Sequence, residues 1–341
     1  MNLKKCGGIN MKNENLDDIF DSDKLMKDIK KGKRRSLLRI IIVSVILIIT
    51  MFAANIFISN KIGDISMKKR NKLVRLSVPN GYISRSTESI GVLGGTANYR
   101  ISRYIGDRAI ILDEETSIYG LPLKGLMVRM NGGDLDKSIA NKYPEMVWTW
   151  SDLNRWKNGY RKMKFYHPDL QYKQYTNDLN ILDDLSNAKL IEVAVSFDKK
   201  YKIKDIENII PNVKKSWYCF DAFTKEEIEN YKNEIKEGKS SYIGEGQMIG
   251  INAVNHEIPD LGISKETSSD TLIDTLLNFM ESSGNKRYNA IYKELIKKGY
   301  KDSSSIPVIG VIVYGTKDEL KKLVENPHIK AASIGVITDR Y

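Results

Sequence analysis

The chain has 341 residues, 41% hydrophobic and 28% charged, with a formal net charge of +11. This balance excludes wholesale disorder and is enough for one or two domains with real cores. Residues 1–58 hold 11 Lys/Arg against 6 Asp/Glu and the remainder 43 against 37, so the charge draws no nucleic-acid stripe, and two cysteines, Cys6 and Cys219, exclude a disulfide scaffold.

In residues 13–39, Asn15 is placed to cap a helix, with Asp17 and Asp18 in its first turn. Leu16, Ile19 and Phe20 then share one face. Ser22 starts a second turn, after which Leu25, Met26 and Ile29 form another apolar face. These groups are too few to build a core. Two readings fit. The faces dock into a groove on a cytoplasmic partner, or the stretch lies as a marginal helix on the anionic inner leaflet. Lys30, Lys31, Lys33, Arg34, Arg35 and Arg39 ask for no more than lipid headgroups. The acids around Leu16, Ile19 and Phe20 disfavour lipid.

Ile40 to Ile58 is a run of 19 residues without a charge, in which only Ser44, Thr50 and Asn55 are polar. As a helix it reaches about 28 Å, close to the roughly 30 Å hydrocarbon core. The run is too long for a signal-peptide core, so an uncleaved anchor is expected. Basic residues crowd its N-terminal side, whereas Lys61 stands alone on the other side until Lys68, Lys69 and Arg70. The positive-inside rule then puts residues 1–39 in the cytoplasm and the rest outside.

Residues 59–72 read as a connector, 73–175 as a β-rich part and 176–341 as a C-terminal domain. LVRLSV (73–78) and RAIILD (108–113) are strand-like runs, and Pro79-Asn80-Gly81 and the glycines 91, 94 and 95 mark turns. Further on, LIEVAVSF (190–197), SWYCFDAF (216–223), PVIGVIVYG (307–315) and IKAASIGVITD (329–339) read as strands. KIKDIENII (202–210), 224–238, 269–284, 285–300 and 316–326 read as helices. Thr224 with Glu227, and Thr316 with Glu319, have capping-box spacing. The expected fold class is α+β: one transmembrane helix, a β-rich part, then a sheet with helices packed on one face, made of two β-α-β units of ferredoxin-like type.

No catalytic, cofactor or metal signature is present: HExxH, CxxC and GxSxG are missing, and His167, His256 and His328 stand apart from one another. Cys219, between Tyr218 and Phe220, reads as a buried thiol. Asp183-Asp184 and Asp113-Glu114-Glu115 read as solvated, and Trp148, Trp150 and Trp156 as core anchors. An enzyme would need a cluster assembled from distant residues, such as His167 with Asp178 or Asp183.

Several long segments carry a resemblance. They are residues 82–108, 159–185, 189–201, WYCFDAF (217–223) and the end GVIVYGTKDELKKLVENPHIKAASIGVITDRY (310–341), with FDSDKLMKDIKKGKRRS before the membrane run. Together they resemble the sigma factor regulator family, anti-sigma factors of Gram-positive bacteria. The resemblance implies an inhibitor that holds an extracytoplasmic-function sigma factor at the inner face of the membrane, with an outer domain that senses an envelope condition or binds an envelope partner. No cofactor is expected, for want of a signature, and no direct contact with nucleic acid, since the charge draws no stripe. On the tail's own chemistry, Leu16, Ile19, Phe20, Leu25, Met26 and Ile29 are the candidate sigma-binding residues. Self-association through the span is also open, since Asn55 could bond across a helix pair. Two other classes remain beside this one: an anchored extracellular enzyme, and an envelope assembly factor with no sigma partner.

Overall fold

The computed structural model describes residues 22–121, 156–157, 160–253, 269–300 and 302–340. Helix α1 runs from Ser22 to Ser77. Strands β1 (Gly81–Ile90), β2 (Gly94–Ile105) and β3 (Arg108–Gly120) follow, then three two-residue strands, β4 (Trp156–Lys157), β5 (Tyr160–Arg161) and β6 (Lys164–Phe165). Next come β7 (Lys189–Tyr201), α2 (Ile206–Ile209), β8 (Lys214–Phe220), α3 (Lys225–Lys236), β9 (Ile243–Gly244) and β10 (Gly250–Asn252). The chain closes with α4 (Ser269–Ser282), α5 (Lys286–Lys297), β11 (Val308–Gly315), α6 (Lys317–Leu320) and β12 (Ile329–Asp339). It divides into two compact units, Met1–Ile58 and Ser59–Tyr341.

In the first unit, α1 is apolar all round from Ile40 to Ile58, and its large side chains point outward: Met51 is 71% exposed, Phe52 66% and Ile48 65%. No core covers them. A helix of this length and composition can cross a membrane.

In the second unit, the stretch read as a connector and the run read as a strand, LVRLSV, are both helical up to Ser77. Leu73 and Leu76 are spaced for one helical face rather than for alternation, and Val74 and Leu76 are buried. Tertiary burial thus overrides the β-propensity of the valines. The last turn is tied by the Ser77 hydroxyl donating to the Leu73 carbonyl at 2.8 Å. Pro79 disfavours helix at the residue before it, and Asn80 then takes a φ of +53° to turn the chain into β1.

Strands β1, β2 and β3 form an antiparallel meander. Its pairing shifts at two adjacent places. β1 carries an extra residue at Ser84 and β3 another at Leu112, on either side of Ile101. Bulges bend strands and sharpen their twist. One half of the meander, through Ala97, Tyr99 and Tyr119, packs on Ile62 and Met67 of α1. The other half, through Ile105 and Ile110, packs on Val336, Leu190 and Tyr314 of the larger sheet. Gly63 permits the first contact, because a Cβ there would lie 2.9 Å from the Glu88 carboxylate and 3.2 Å from the Tyr119 ring.

The larger sheet has the order β10-β8-β11-β7-β12, with every pair antiparallel. β7-α2-β8 is therefore one unit whose two strands flank β11, and β11-α6-β12 a second whose strands flank β7. A segment of helices and short strands, from α3 to α5, is inserted between them. Seven consecutive residues of β7, Ile191 to Phe197, are buried, because both faces of the sheet are covered. Ile191, Val193, Val195 and Val311 meet α2, α4, α5 and α6. Ala194, Trp217, Cys219 and Ile312 meet Met163, Phe165 and, on α3, Ile228 and Tyr231. The helices are thus not confined to one face as the sequence suggests. The amphipathic α3, whose capping box at Thr224 and Glu227 forms as expected, covers the second face.

Because Leu76 belongs to the main core, Leu76→Ala should destabilise the second unit by about 2–4 kcal/mol. Denaturant unfolding of the full chain in detergent, read by the fluorescence of the buried Trp217, measures it. A change below the error of the midpoint would mean that the end of α1 is not integral to the fold.

Candidate functional site

Of the candidate sigma-binding residues, Leu16, Ile19 and Phe20 lie outside the described residues. Leu25, Met26 and Ile29 lie on α1 and are 55%, 57% and 50% exposed. At 100° per residue they span an arc of about 100°. Lys30, Lys31, Lys33, Arg34, Arg35 and Arg39 are all exposed on the same helix and are spread around its circumference. They form a partial collar, over about 240° of the circumference, at the start of the apolar run, which suits lipid headgroups.

The second unit contains a feature that the sequence reading missed. Arg103 of β2 and Glu192 of β7 are each 1% exposed, and their side chains meet at 3.1 Å. The pair links the meander to the larger sheet. Glu245 approaches Arg103 at 3.7 Å with one oxygen, and its other oxygen accepts the Met163 N–H at 3.0 Å. The Val336 N–H donates to Glu192 at 3.3 Å. Gly335 allows β12 this close, since a Cβ there would lie 2.7 Å from Glu192 Oε2. Burial lifts the Glu192 carboxyl to about 7, against the pull of Arg103; Glu245 adds to the rise. The signal for both residues was a lone charge inside an apolar strand, Glu192 in LIEVAVSF and Arg103 in ISRYI.

Arg103 and Glu245 stand in the wall of a cleft of about 1000 Å3. The end of α1, the meander, residues 160–163 and residues 238–247 line it. Charges of both signs face it, among them Arg70, Asp113, Arg161 and Lys162. Such a surface suits a polar, charged ligand or a polypeptide segment better than an apolar molecule. The acidic runs lie at the surface, as expected, and there form ion pairs: Glu115 with Arg70, Glu114 with Arg100 at 2.8 Å, and Asp183 with Lys321.

His167 and Asp221 form a second buried cluster. His167 Nε2 donates to Asp221 Oδ1 at 3.0 Å, while its Nδ1 accepts the Asp169 N–H at 3.2 Å. That arrangement assigns the proton to Nε2. Lys200 bridges Asp221 and Asp169, at 2.7 Å from each. Burial alone would raise Asp221, but the hydrogen bonds from His167 and Lys200 outweigh it and hold the carboxyl at about 2. The cluster ties the 167–169 turn to β7 and to the end of β8. His167 does not meet Asp178 or Asp183; Asp178 pairs with Arg161 at 2.9 Å. Tyr201 bonds His328 at 2.9 Å, and His256 lies outside the described residues. Cys219 is fully buried and burial pushes its thiol up, away from the reactive thiolate. Among the described residues no group of three or more His, Cys, Asp or Glu could hold a metal ion. Trp148 and Trp150 lie outside the described residues.

The raised Glu192 carboxyl couples stability to pH. Folding raises it from 4.5 to about 7, so the folded state binds the extra proton between those values. Through this group, stability should fall as pH rises from about 4.5 to about 7, by roughly 3 kcal/mol at most. Glu192→Gln, which mimics the neutral acid, should flatten the unfolding midpoint across that window. An unchanged slope would mean that Glu192 is ionised throughout. Arg103→Met should cost about 3–5 kcal/mol above pH 7, because it leaves a buried carboxylate unpaired. Denaturant titration at both pH values tests this; equal loss at acid and neutral pH would rule out the ionic account.

Two descriptions match the chain. "Sigma factor regulator N-terminal" covers residues 27–110, which takes in α1 from the basic collar onward and the meander up to the start of β3. "Sigma factor regulator C-terminal" covers residues 182–336, the five-stranded sheet and its inserted helices. No curated protein and no solved structure matches. The matches span both partners of the buried ion pair, Arg103 in the first and Glu192 in the second. The family is regulatory, and its domains support an anti-sigma role. With one helix among the described residues fit to cross a membrane and both regulator domains in order, the chain belongs to the sigma factor regulator family as a single-pass membrane protein.

Proposed function

We propose that the chain is an anti-sigma factor for a sigma factor of the extracytoplasmic-function type, held at the inner face of the membrane by residues 1–39. The second unit then lies outside, where its cleft meets an envelope signal or partner. The observation that carries this reading is the joining of two family domains to one membrane span with a basic collar at its N-terminal end. The collar favours a cytoplasmic N-terminus. On the other side of the apolar run, Arg70 pairs with Glu115 and Lys72 sits 5.5 Å over the Phe279 ring, so part of the opposing basic charge belongs to the fold of the second unit. We also read the interleaved β-α-β units as ferredoxin-like.

The sigma factor would be held by the apolar faces of Leu16, Ile19 and Phe20 and of Leu25, Met26 and Ile29. The latter three are solvent-facing on α1, as a groove-binding helix requires. Ile19→Asp with Phe20→Asp should release the sigma factor, because an unpaired charge buried in such a groove costs several kcal/mol. Co-purification of the full chain with each extracytoplasmic-function sigma factor of the source organism tests this. Selective capture of one, lost in the double variant, is the expected outcome. Capture that survives the double variant would reject the docking face, and capture of none would reject the anti-sigma reading for this class of sigma factor.

A further inference from the structure

Ser59, the residue that follows the apolar run, is fully buried. Its hydroxyl accepts the Gly94 N–H at 3.0 Å and lies 3.5 Å from the Gly91 carbonyl. These contacts fasten the β1–β2 turn to the helix at the point where its membrane segment ends. The tip of the meander therefore has a fixed position relative to Ser59.

That tip is apolar and outward-facing. Ile90 is 48% exposed, Val92 56%, Ile118 58% and Leu121 56%. The pairing puts them on both faces of the tip: Ile90 lies in the row of Gly95 and Tyr119, Ile118 in the next row, opposite Thr96, on the other face, and the Leu121 N–H bonds the Leu93 carbonyl at 3.0 Å. The two segments that build the tip, IGVLGG (90–95) and SIYGL (117–121), contain no charge. Scattered exposed apolar residues need no explanation, but four gathered on one charge-free tip do. Further along the same strands polar and charged side chains take over, with Arg100 paired to Glu114 and Thr116 donating to Asn98.

We propose that this tip, with Val92 and Ile118, is a second membrane contact that inserts into the headgroup and acyl boundary of the bilayer. The occupant follows from continuity. The apolar run of α1, fit to cross a membrane, ends at Ile58, and the next residue, Ser59, is bonded to the tip. Branched aliphatic side chains without charge suit that boundary. The meander would then rest on the membrane by its tip, with the polar part of its strands in water.

Site-directed spin labelling of the full chain tests the assignment. Cys6→Ser removes the one cysteine that is not shown to be buried, and Cys219 is fully buried. Nitroxides at Val92→Cys, Ile118→Cys and, as an aqueous control, Lys236→Cys on α3 would be compared in phosphatidylcholine–phosphatidylglycerol vesicles. The lipid-soluble quencher oxygen and a water-soluble nickel chelate report the environment. Labels at 92 and 118 should favour oxygen over nickel several-fold more than the label at 236. Equal ratios at all three sites would overturn the proposal. Exclusion of both quenchers at 92 and 118 would also overturn it, since it would place protein, a second copy or a partner, against the tip. Melting curves matching the Cys6→Ser parent show that each labelled chain is folded.

Discussion

The contact between Arg103 and Glu192 is the constraint around which the second unit is arranged. Two charges are withdrawn from water at the seam between a small sheet and a large one. Withdrawal of that kind is tolerated only when the partners stay together. The meander can therefore not slide on the larger sheet without exposing or orphaning a charge. The bulges at Ser84 and Leu112 follow the same logic. They bend the meander so that one half reaches α1 while the other reaches Val336 and Tyr314. Gly335, with no side chain, leaves room for the carboxylate.

The end of α1 is the second organising element. In sequence it looks like a passage between a span and a domain. In the structure Ile62 and Met67 pack on the meander, and Leu73 and Leu76 join the main core. The cleft is built from this helix end, the meander and the loops before β6 and around β9. Elements from both matched regions thus contribute to one cavity. This is a physical reason for the two regions to occur together, since neither encloses the cleft by itself.

The larger sheet was legible because its strands are apolar runs and two of its helices open with capping boxes. Thr224 with Glu227 and Thr316 with Glu319 both form, and these boxes depend on local spacing alone. The second helix is shorter than its pattern, ending at Leu320 and continuing as a single 3-10 turn to Leu323. What was hidden depends on distant partners. LVRLSV has two valines and reads as a strand, and only the core waiting for Leu73 and Leu76 makes it helical. The meander's bulges leave no mark in composition. His167 finds Asp221 rather than Asp178 or Asp183 because the sheet brings the end of β8 under the 167–169 turn. The proposed tail site rests on residues whose faces are local, which is why it could be drawn at all.

The burial of the α1 end has a bearing on how the protein could be cut. Proteases require an extended, accessible backbone, and helical residues packed into a core supply it only after local unfolding. From Ser59 to Ser77 every residue is helical, and Val74 and Leu76 are inaccessible. A scission after Leu76 would remove part of the hydrophobic core and leave a damaged fragment in place of an intact released domain. It also follows that a soluble fragment of the second unit, if one is to be made, must begin near Ser59 and not at the first strand.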